Sequence, residues 1–250
     1  MRLDAGALIF LSIVTSCLSR LVYPSSKWHA IQLIFAIGIH LDDRDKLERV
    51  VPHLMALIGD ECAAIRAFAI HRVTQMLSSV QHLTPIDVDL FPEYLLPYFR
   101  SILSDSEMSV RLAYAQCMPS LTATALRFLE MGKHLGRRES GVLPPEKTSR
   151  SDSLFSALSS TKKEEQEETV ARDVTATKLQ ELRDVFLEDI TALLADPESI
   201  IRRCMLQDLY AIGQFLGAKM TYDHLLSHLV TSLNATDWQL RKSLFFFSVL

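Results

Sequence analysis

Glycine and proline are both scarce in this sequence, at eight and nine of 250 residues. Turn-rich β architectures draw on both, so their scarcity argues against a sandwich or barrel and for helices. Long apolar runs are missing as well. The most apolar stretch near the start, ALIFLSIV at 7–14, falls short of the roughly 20 residues with which a helix spans a bilayer. It follows Arg2 as a signal core would, yet it continues through TSCLSRLV with apolar residues at helical spacing and no A-x-A cleavage signature. It therefore reads as the first helix of the folded unit. The competing reading, a secreted or membrane-anchored helical protein, requires cleavage near Cys17 and a glycan on the Asn234 sequon.

An excess of either charge is also lacking. The formal net charge of −4 leaves no electrostatic footprint for nucleic acid. Cys17, Cys62, Cys117 and Cys204 stand far apart without a CxxC pair, which points to buried free thiols in a reducing compartment. Catalytic motifs fail one by one. There is no GxSxG and none of the Gly-rich-loop, HRD or DFG elements of a protein kinase. Gly136 to Gly141 has phosphate-loop spacing, but Val142-Leu143 follows where Lys-Ser/Thr is required. His224 and His228 in HLLSH stand one helical turn apart, yet Leu225 occupies the place of a zinc protease's glutamate and no third ligand is evident. The residues thus predict a non-enzyme without cofactor or metal.

What is present is a repeated frame. LSDSEMSVRLAY at 103–114 recurs as IGDECAAIRAFA at 58–69, LADPESIIRRCM at 194–205 and, less closely, LNATDWQLRKSL at 233–244. In three copies an Asp precedes an Arg by six residues: Asp60 with Arg66, Asp105 with Arg111, Asp196 with Arg202. The fourth keeps Arg241 but has Ala235 in place of Asp. Apolar residues at 3.6-residue spacing flank each frame, such as Leu47, Val50, Val51, Leu54 and Ile58 before Asp60 and Ile65, Ala69, Val73 and Met76 after it. Each unit is therefore a helix, a tight turn and a second helix. One such pair cannot bury its own apolar face, so the pairs must stack.

The spacing fits a stack. Asp60 to Asp105 is 45 residues and Asp196 to Ala235 is 39, both near the ~40–47 of a HEAT or armadillo repeat. Asp105 to Asp196 is 91, and the excess lies where helical periodicity ends. The prediction is an all-α solenoid of about five helix pairs: repeats one to three over 1–132, a disordered Ser/Thr-rich charged insertion over 133–176, and repeats four and five over 177–250, the last truncated. Ser149, Ser151 and Ser153 in the insertion are the expected phosphorylation sites. Pro52 and Pro97, each eight residues before a junction Asp, are predicted to bend the first helices of the two middle units, a device confined to the middle of the chain because Glu188 and Ser227 take that place later. The junction Asp is expected to cap the second helix. The Arg is expected to reach the next repeat's Asp, so that Asp60, Arg66, Asp105, Arg111, Asp196, Arg202 and Arg241 form a structural ladder holding the register.

The stretch IDVDLFPEYLLPYFRSILSDSEMSVRLAYAQCMPSLTATALRFLE (86–130) closely resembles the helical-repeat region of the protein-kinase-like regulatory subunits of class III phosphatidylinositol 3-kinase, a vacuolar protein sorting family. LSIVTSCLSRLVYPSSKWHAIQLI (11–34) and LLSHLVTSLNATDWQLRKSLFF (225–246) resemble flanking parts of the same region. The resemblance implies a scaffold segment between a kinase-like domain and a WD-repeat propeller. Its implied partners are the lipid kinase catalytic subunit and a beclin-type subunit on endosomal or autophagic membranes, with membrane contact only through the complex. Neither flanking domain is in this sequence, which implies a fragment without kinase activity of its own. The alternative within the same class is a generic HEAT scaffold of the phosphatase-regulatory or transport-adaptor kind.

Overall fold

The computed structural model describes residues 3–84, 87, 89–139 and 176–247. Among the described residues every regular element is a helix and none is a strand. The helices are α1 (Leu3–Leu18), α2 (Pro24–Gly38), α3 (43–59), α4 (Ala63–Ser79), α5 (90–103), α6 (Met108–Glu139), α7 (176–194), α8 (Ser199–Gln207), α9 (Leu209–Leu216), α10 (218–233) and α11 (Trp238–Phe247). They form five successive pairs, with α8 and α9 together making the second arm of pair four. Second arms stack on one another in order, α2 on α4, α4 on α6, α6 on α8, and α8 on α11. The result is an all-α solenoid.

The apolar stripes read from the sequence are the ones that fill its core. Val110, Ala113, Tyr114, Cys117, Leu121, Ala125 and Phe128 line one face of α6 and are all buried. Leu182, Phe186, Ile190 and Leu193 do the same on α7. One apolar cluster runs without a break from Leu11 on α1 to Leu240 on α11, as expected when no pair can bury its own face. Inside pairs three and four it is aromatic, with Phe91 edge-on to Phe128 and Phe186 edge-on to Phe215, each at 5.3 Å between ring centres, and Phe91 meets Phe186 across the seam between the pairs at 6.5 Å.

Three expectations change here. The insertion was placed from 133, but α6 continues to Glu139. Loss of apolar periodicity is thus not loss of helix. Residues 140–175 of that insertion, with Ser149, Ser151 and Ser153, lie outside the described residues, and its last residue, 176, is already helical in α7. The proline device differs too. In α3 and α5 a widened, π-type turn, Lys46–Val50 and Phe91–Leu95, directly precedes the segment whose second residue is Pro52 or Pro97. Val51 and Leu96 donate five residues back, to Lys46 and Phe91, which shifts the hydrogen-bond ladder where the proline has no N–H to give. The same turn recurs at Thr221–Leu225 in α10, ahead of Ser227. The widening is therefore neither confined to the middle of the chain nor dependent on proline. Finally, Cys17 is exposed on α1 and Cys62 half-buried, so the four free thiols are not all interior.

Gly217, between α9 and α10, is the described glycine with a positive φ, at 83°. Its N–H donates to Gly213 O at 2.9 Å and its carbonyl accepts from Thr221, while Arg183 on α7 donates to Phe215 O at 2.8 Å. Together these bonds satisfy the end of α9 where a residue with Cβ would be strained.

Candidate functional site

The repeated frame lies along the turns joining the two arms of each pair. At Asp60 the chain leaves α3 extended, with φ −66° and ψ 150°. The Oδ1 atoms of Asp60, Asp105 and Asp196 accept from the N–H two residues on, at Cys62, Glu107 and Glu198, with distances of 2.9, 2.9 and 2.8 Å. The helix proper begins later. The N-cap positions of α4 and α8 are Cys62 and Glu198, and neither carries a side-chain cap. Each Asp therefore closes a local turn two residues before the N-cap instead of capping the helix, and its remaining lone pairs face the preceding pair.

The fourth residue of the preceding second arm fills them. Arg66 donates from Nε to Asp105 Oδ2 at 2.7 Å and from Nη2 to Oδ1 at 2.8 Å. Arg111 donates from Nε to Asp196 Oδ2 at 2.7 Å and from Nη2 to Oδ1 at 3.2 Å. Both are bidentate side-on pairs between consecutive repeats. The third nitrogen, Nη1, turns back to its own junction: Arg66 to the carbonyls of Asp60 and Glu61 at 2.9 and 3.1 Å, Arg111 to those of Asp105 and Ser106 at 2.7 and 3.4 Å. One guanidinium thus ties its own turn and the next.

Sequence reasoning missed the rung below. Lys27, the fourth residue of α2, donates to Asp60 Oδ2. It was hidden because the first pair has no Asp at its junction and carries lysine where later pairs carry arginine; the cation four residues into a helix that starts at Pro24 is the signal that would have found it. At the other end the pattern opens. Arg202 bonds the carbonyls of Asp196 and Pro197, and Arg241 bonds that of Ala235, repeating the local half of the motif. With alanine at 235, Arg202 has no carboxylate to reach there. Asp237 instead caps α11, accepting from Gln239 N at 2.9 Å.

The rungs sit in partly dry surroundings, with Arg111 and Asp196 side chains only 11% and 6% exposed. Burial pushes the Asp105 and Asp196 carboxyls up, but the bonds from Arg66 and Arg111 and from the Glu107 and Glu198 N–H groups outweigh it, leaving both below the ordinary carboxylate value. The same bonds raise Arg66 and Arg111.

A second polar group crosses the seam between pairs three and four, and no motif announced it. Tyr114 on α6 donates to Asp189 Oδ2 on α7 at 2.6 Å, and both are buried in the apolar stack. Asp189 Oδ1 has no hydrogen-bond partner. Arg100 Nε lies 3.9 Å from it, with its guanidinium engaged by exposed Glu188. Burial pushes the Asp189 carboxyl up to about 6 against the pull of Tyr114 and Arg100, and burial beside Asp189 raises Tyr114 well above the ordinary phenol value. Burial likewise pushes the Cys117 and Cys204 thiols up to about 11.

Among the described residues no three His, Cys, Asp or Glu side chains converge as metal ligands, and no helix is long and apolar enough to cross a membrane. His224 is exposed and His228 half-buried. A cleft of about 280 Å³ between α5, α6 and α7 is lined by Phe91, Phe128, Leu129 and Leu182 with the Lys178–Asp89 ion pair at its edge, and no serine, cysteine or histidine lines it.

The family described as PIK3R4-like, middle domain, matches residues 10–250. Serine/threonine-protein kinase VPS15 of Arabidopsis thaliana is 31% identical over 243 residues, covering 96% of this chain and 16% of the relative. Serine/threonine-protein kinase vps15 of Schizosaccharomyces pombe is 34% identical over 223 residues, 89% of this chain and 12% of the relative. The Saccharomyces cerevisiae VPS15 kinase is 24% identical over 228 residues, 90% of this chain and 14% of the relative. The chain thus spans about a sixth or less of these relatives, in a region whose matching family is a middle domain and whose geometry is that of stacked helix pairs: it belongs to the PIK3R4-like middle-domain family.

Proposed function

We propose that this chain is a non-catalytic, HEAT-type scaffold segment of the regulatory subunit of a class III phosphatidylinositol 3-kinase complex. In this reading it positions the lipid kinase catalytic subunit and a beclin-type subunit for autophagy and endosomal or vacuolar sorting, and meets the membrane only through the complex. The observation that carries it is the pair of equivalent rungs, Arg66 on Asp105 and Arg111 on Asp196. A bidentate bond at the same frame position in successive pairs fixes each pair's rotation on the next, and a fixed rotation is what turns stacked helices into a rod of defined curvature. The ladder residues then serve register, Pro52 and Pro97 shape the first arms, and the units at 1–132 and 177–250 are two halves of one rod.

The test is assembly of the full-length regulatory subunit carrying this region. It is expected to co-purify with the lipid kinase and the beclin-type subunit, and charge reversal at both Arg66 and Arg111 is expected to weaken that assembly while kinase-like-domain nucleotide binding persists. Recovery of the intact complex from the double variant, with the region shown to be misregistered, would refute the spacer mechanism.

A further inference from the structure

The ladder's last rung lacks a carboxylate but keeps everything else. Arg202 is the fourth residue of α8, as Arg66 is of α4 and Arg111 of α6. Its Nη1 is held by the carbonyls of Asp196 and Pro197, the counterparts of those that hold Arg66 and Arg111. In those two arginines this anchoring presents Nε and Nη2 to the aspartate of the following turn. At Arg202 the following turn offers Ala235, and among the described residues Nε and Nη2 bond no acceptor. We propose that Arg202 is a receptor for an acidic side chain carried by a protein partner, which enters over Ala235 and takes the Nε and Nη2 edge side-on.

Three features favour this occupant. The same edge, anchored the same way, already binds a carboxylate twice in this molecule, so the chemistry is set by precedent within the chain. The guanidinium is oriented by its carbonyl bonds before any partner arrives, so little rotamer freedom remains to be lost on binding. Ala235 leaves the space that Asp105 and Asp196 fill in earlier turns, while Leu233 and Trp238 beside it are exposed and give the partner segment apolar surface to cover. Asp237 does not compete, because its carboxylate is committed to Gln239 N–H and to the neighbourhood of Arg203. The ligand class is therefore a peptide segment with an aspartate or glutamate flanked by apolar residues. The inference stands on rung geometry and does not depend on which complex the chain joins.

Two measurements test it, and both must hold. Ala235→Asp should complete the rung from within and raise the melting midpoint by about 2–4 °C, whereas Ala235→Asn should not, and the gain should vanish in an Arg202→Ala background. A capped peptide copying residues 103–110, and its Asp105→Asn version, should then be titrated at millimolar concentration into the full chain while the Arg Nε–H resonances are followed. The aspartate peptide is expected to shift Arg202 saturably and to leave Arg66 and Arg111 unmoved, and Ala235→Asp should block the shift. No Arg202 response, an equal response to the asparagine peptide, or an Ala235→Asp protein no more stable than the parent would each overturn the proposal. None of these results bears on Arg111, whose rung is complete.

Discussion

Replacing Arg111 with alanine removes four hydrogen bonds in one step, two to Asp196 and two to the carbonyls of Asp105 and Ser106. Asp196 keeps only the Glu198 N–H while its side chain is 6% exposed. Breaking a deeply buried ion pair costs roughly 3–5 kcal/mol and an exposed one about 0–1. The Arg111 rung lies between, dry at the carboxylate and close to solvent at its rim, so Arg111→Ala is expected to cost about 2–3 kcal/mol. For a chain of this size that lowers the melting midpoint by roughly 4–12 °C. Urea melts followed by circular dichroism measure it, and an unchanged m-value would show that the unfolded reference has not moved. A double-mutant cycle with Asp196→Asn should return a coupling of about 1–2 kcal/mol. Arg202→Ala is the internal control: it loses carbonyl bonds but no carboxylate, and should cost less than about 1 kcal/mol. The pH dependence has a fixed sign. Asp105 and Asp196 titrate below the ordinary 3.8, so their stabilisation is complete above that pH and is lost as pH falls through the lowered values. Arg111→Ala should remove the Asp196 share of that acid limb. A cost below about 0.5 kcal/mol, or equal costs at Arg111 and Arg202, would refute the reasoning.

Other consequences follow from the same geometry. Asp189 holds its proton up to about 6, so folding stability should decline by about 2–3 kcal/mol as pH rises from 3.8 to that value; Asp189→Asn, which still accepts from Tyr114, should abolish the decline and melt higher than the parent at pH 7, and an unchanged slope would show that Asp189 is not its source. Gly217→Ala places a Cβ residue at φ 83° and should cost about 1–2 kcal/mol, read by the same melts; a neutral result would mean that the α9–α10 junction relaxes. Alkylation at pH 8 should modify exposed Cys17 first and buried Cys117 last, as peptide mapping over time would show.

Much of the architecture was legible because one requirement governs it: every pair must bury its stripe on its neighbours. Leu54, Val73, Leu121, Phe186 and Ile212 follow helical spacing in the sequence and are all in the core. Backbone chemistry was less legible. The junction Asp looks like an N-cap because both positions favour the same side chain, and only the start of α4 at Ala63 shows that Asp60 bonds two residues on. The widened turn of α10 has no sequence mark, since Ser227 stands where Pro52 and Pro97 advertise the other two. Nor could spacing reveal the Tyr114–Asp189 bond. Both residues sit on the apolar stripe of their helices, 75 residues apart, and only the packing of α6 against α7 pairs the hydroxyl with the carboxylate.

The two complete rungs also explain why this fold tolerates a long connection at one seam. Arg66 and Asp105 are 39 residues apart, Arg111 and Asp196 are 85, yet the leading Nε–Oδ2 distance is 2.7 Å in both. Closing the longer loop costs more entropy, but the cost grows only with the logarithm of length: going from 39 to 85 residues adds about 0.7 kcal/mol. A rung whose pairwise coupling is expected to be about 1–2 kcal/mol exceeds that, and the contact of Phe91 with Phe186 across the seam adds to it. The connection can therefore lengthen without loosening the stack, because the geometry of the seam is set by groups on α6 and α7 and the turn after it. Pair three and pair four are neighbours in the rod for the same physical reason as pair two and pair three, and the distance between them along the chain is a separate variable.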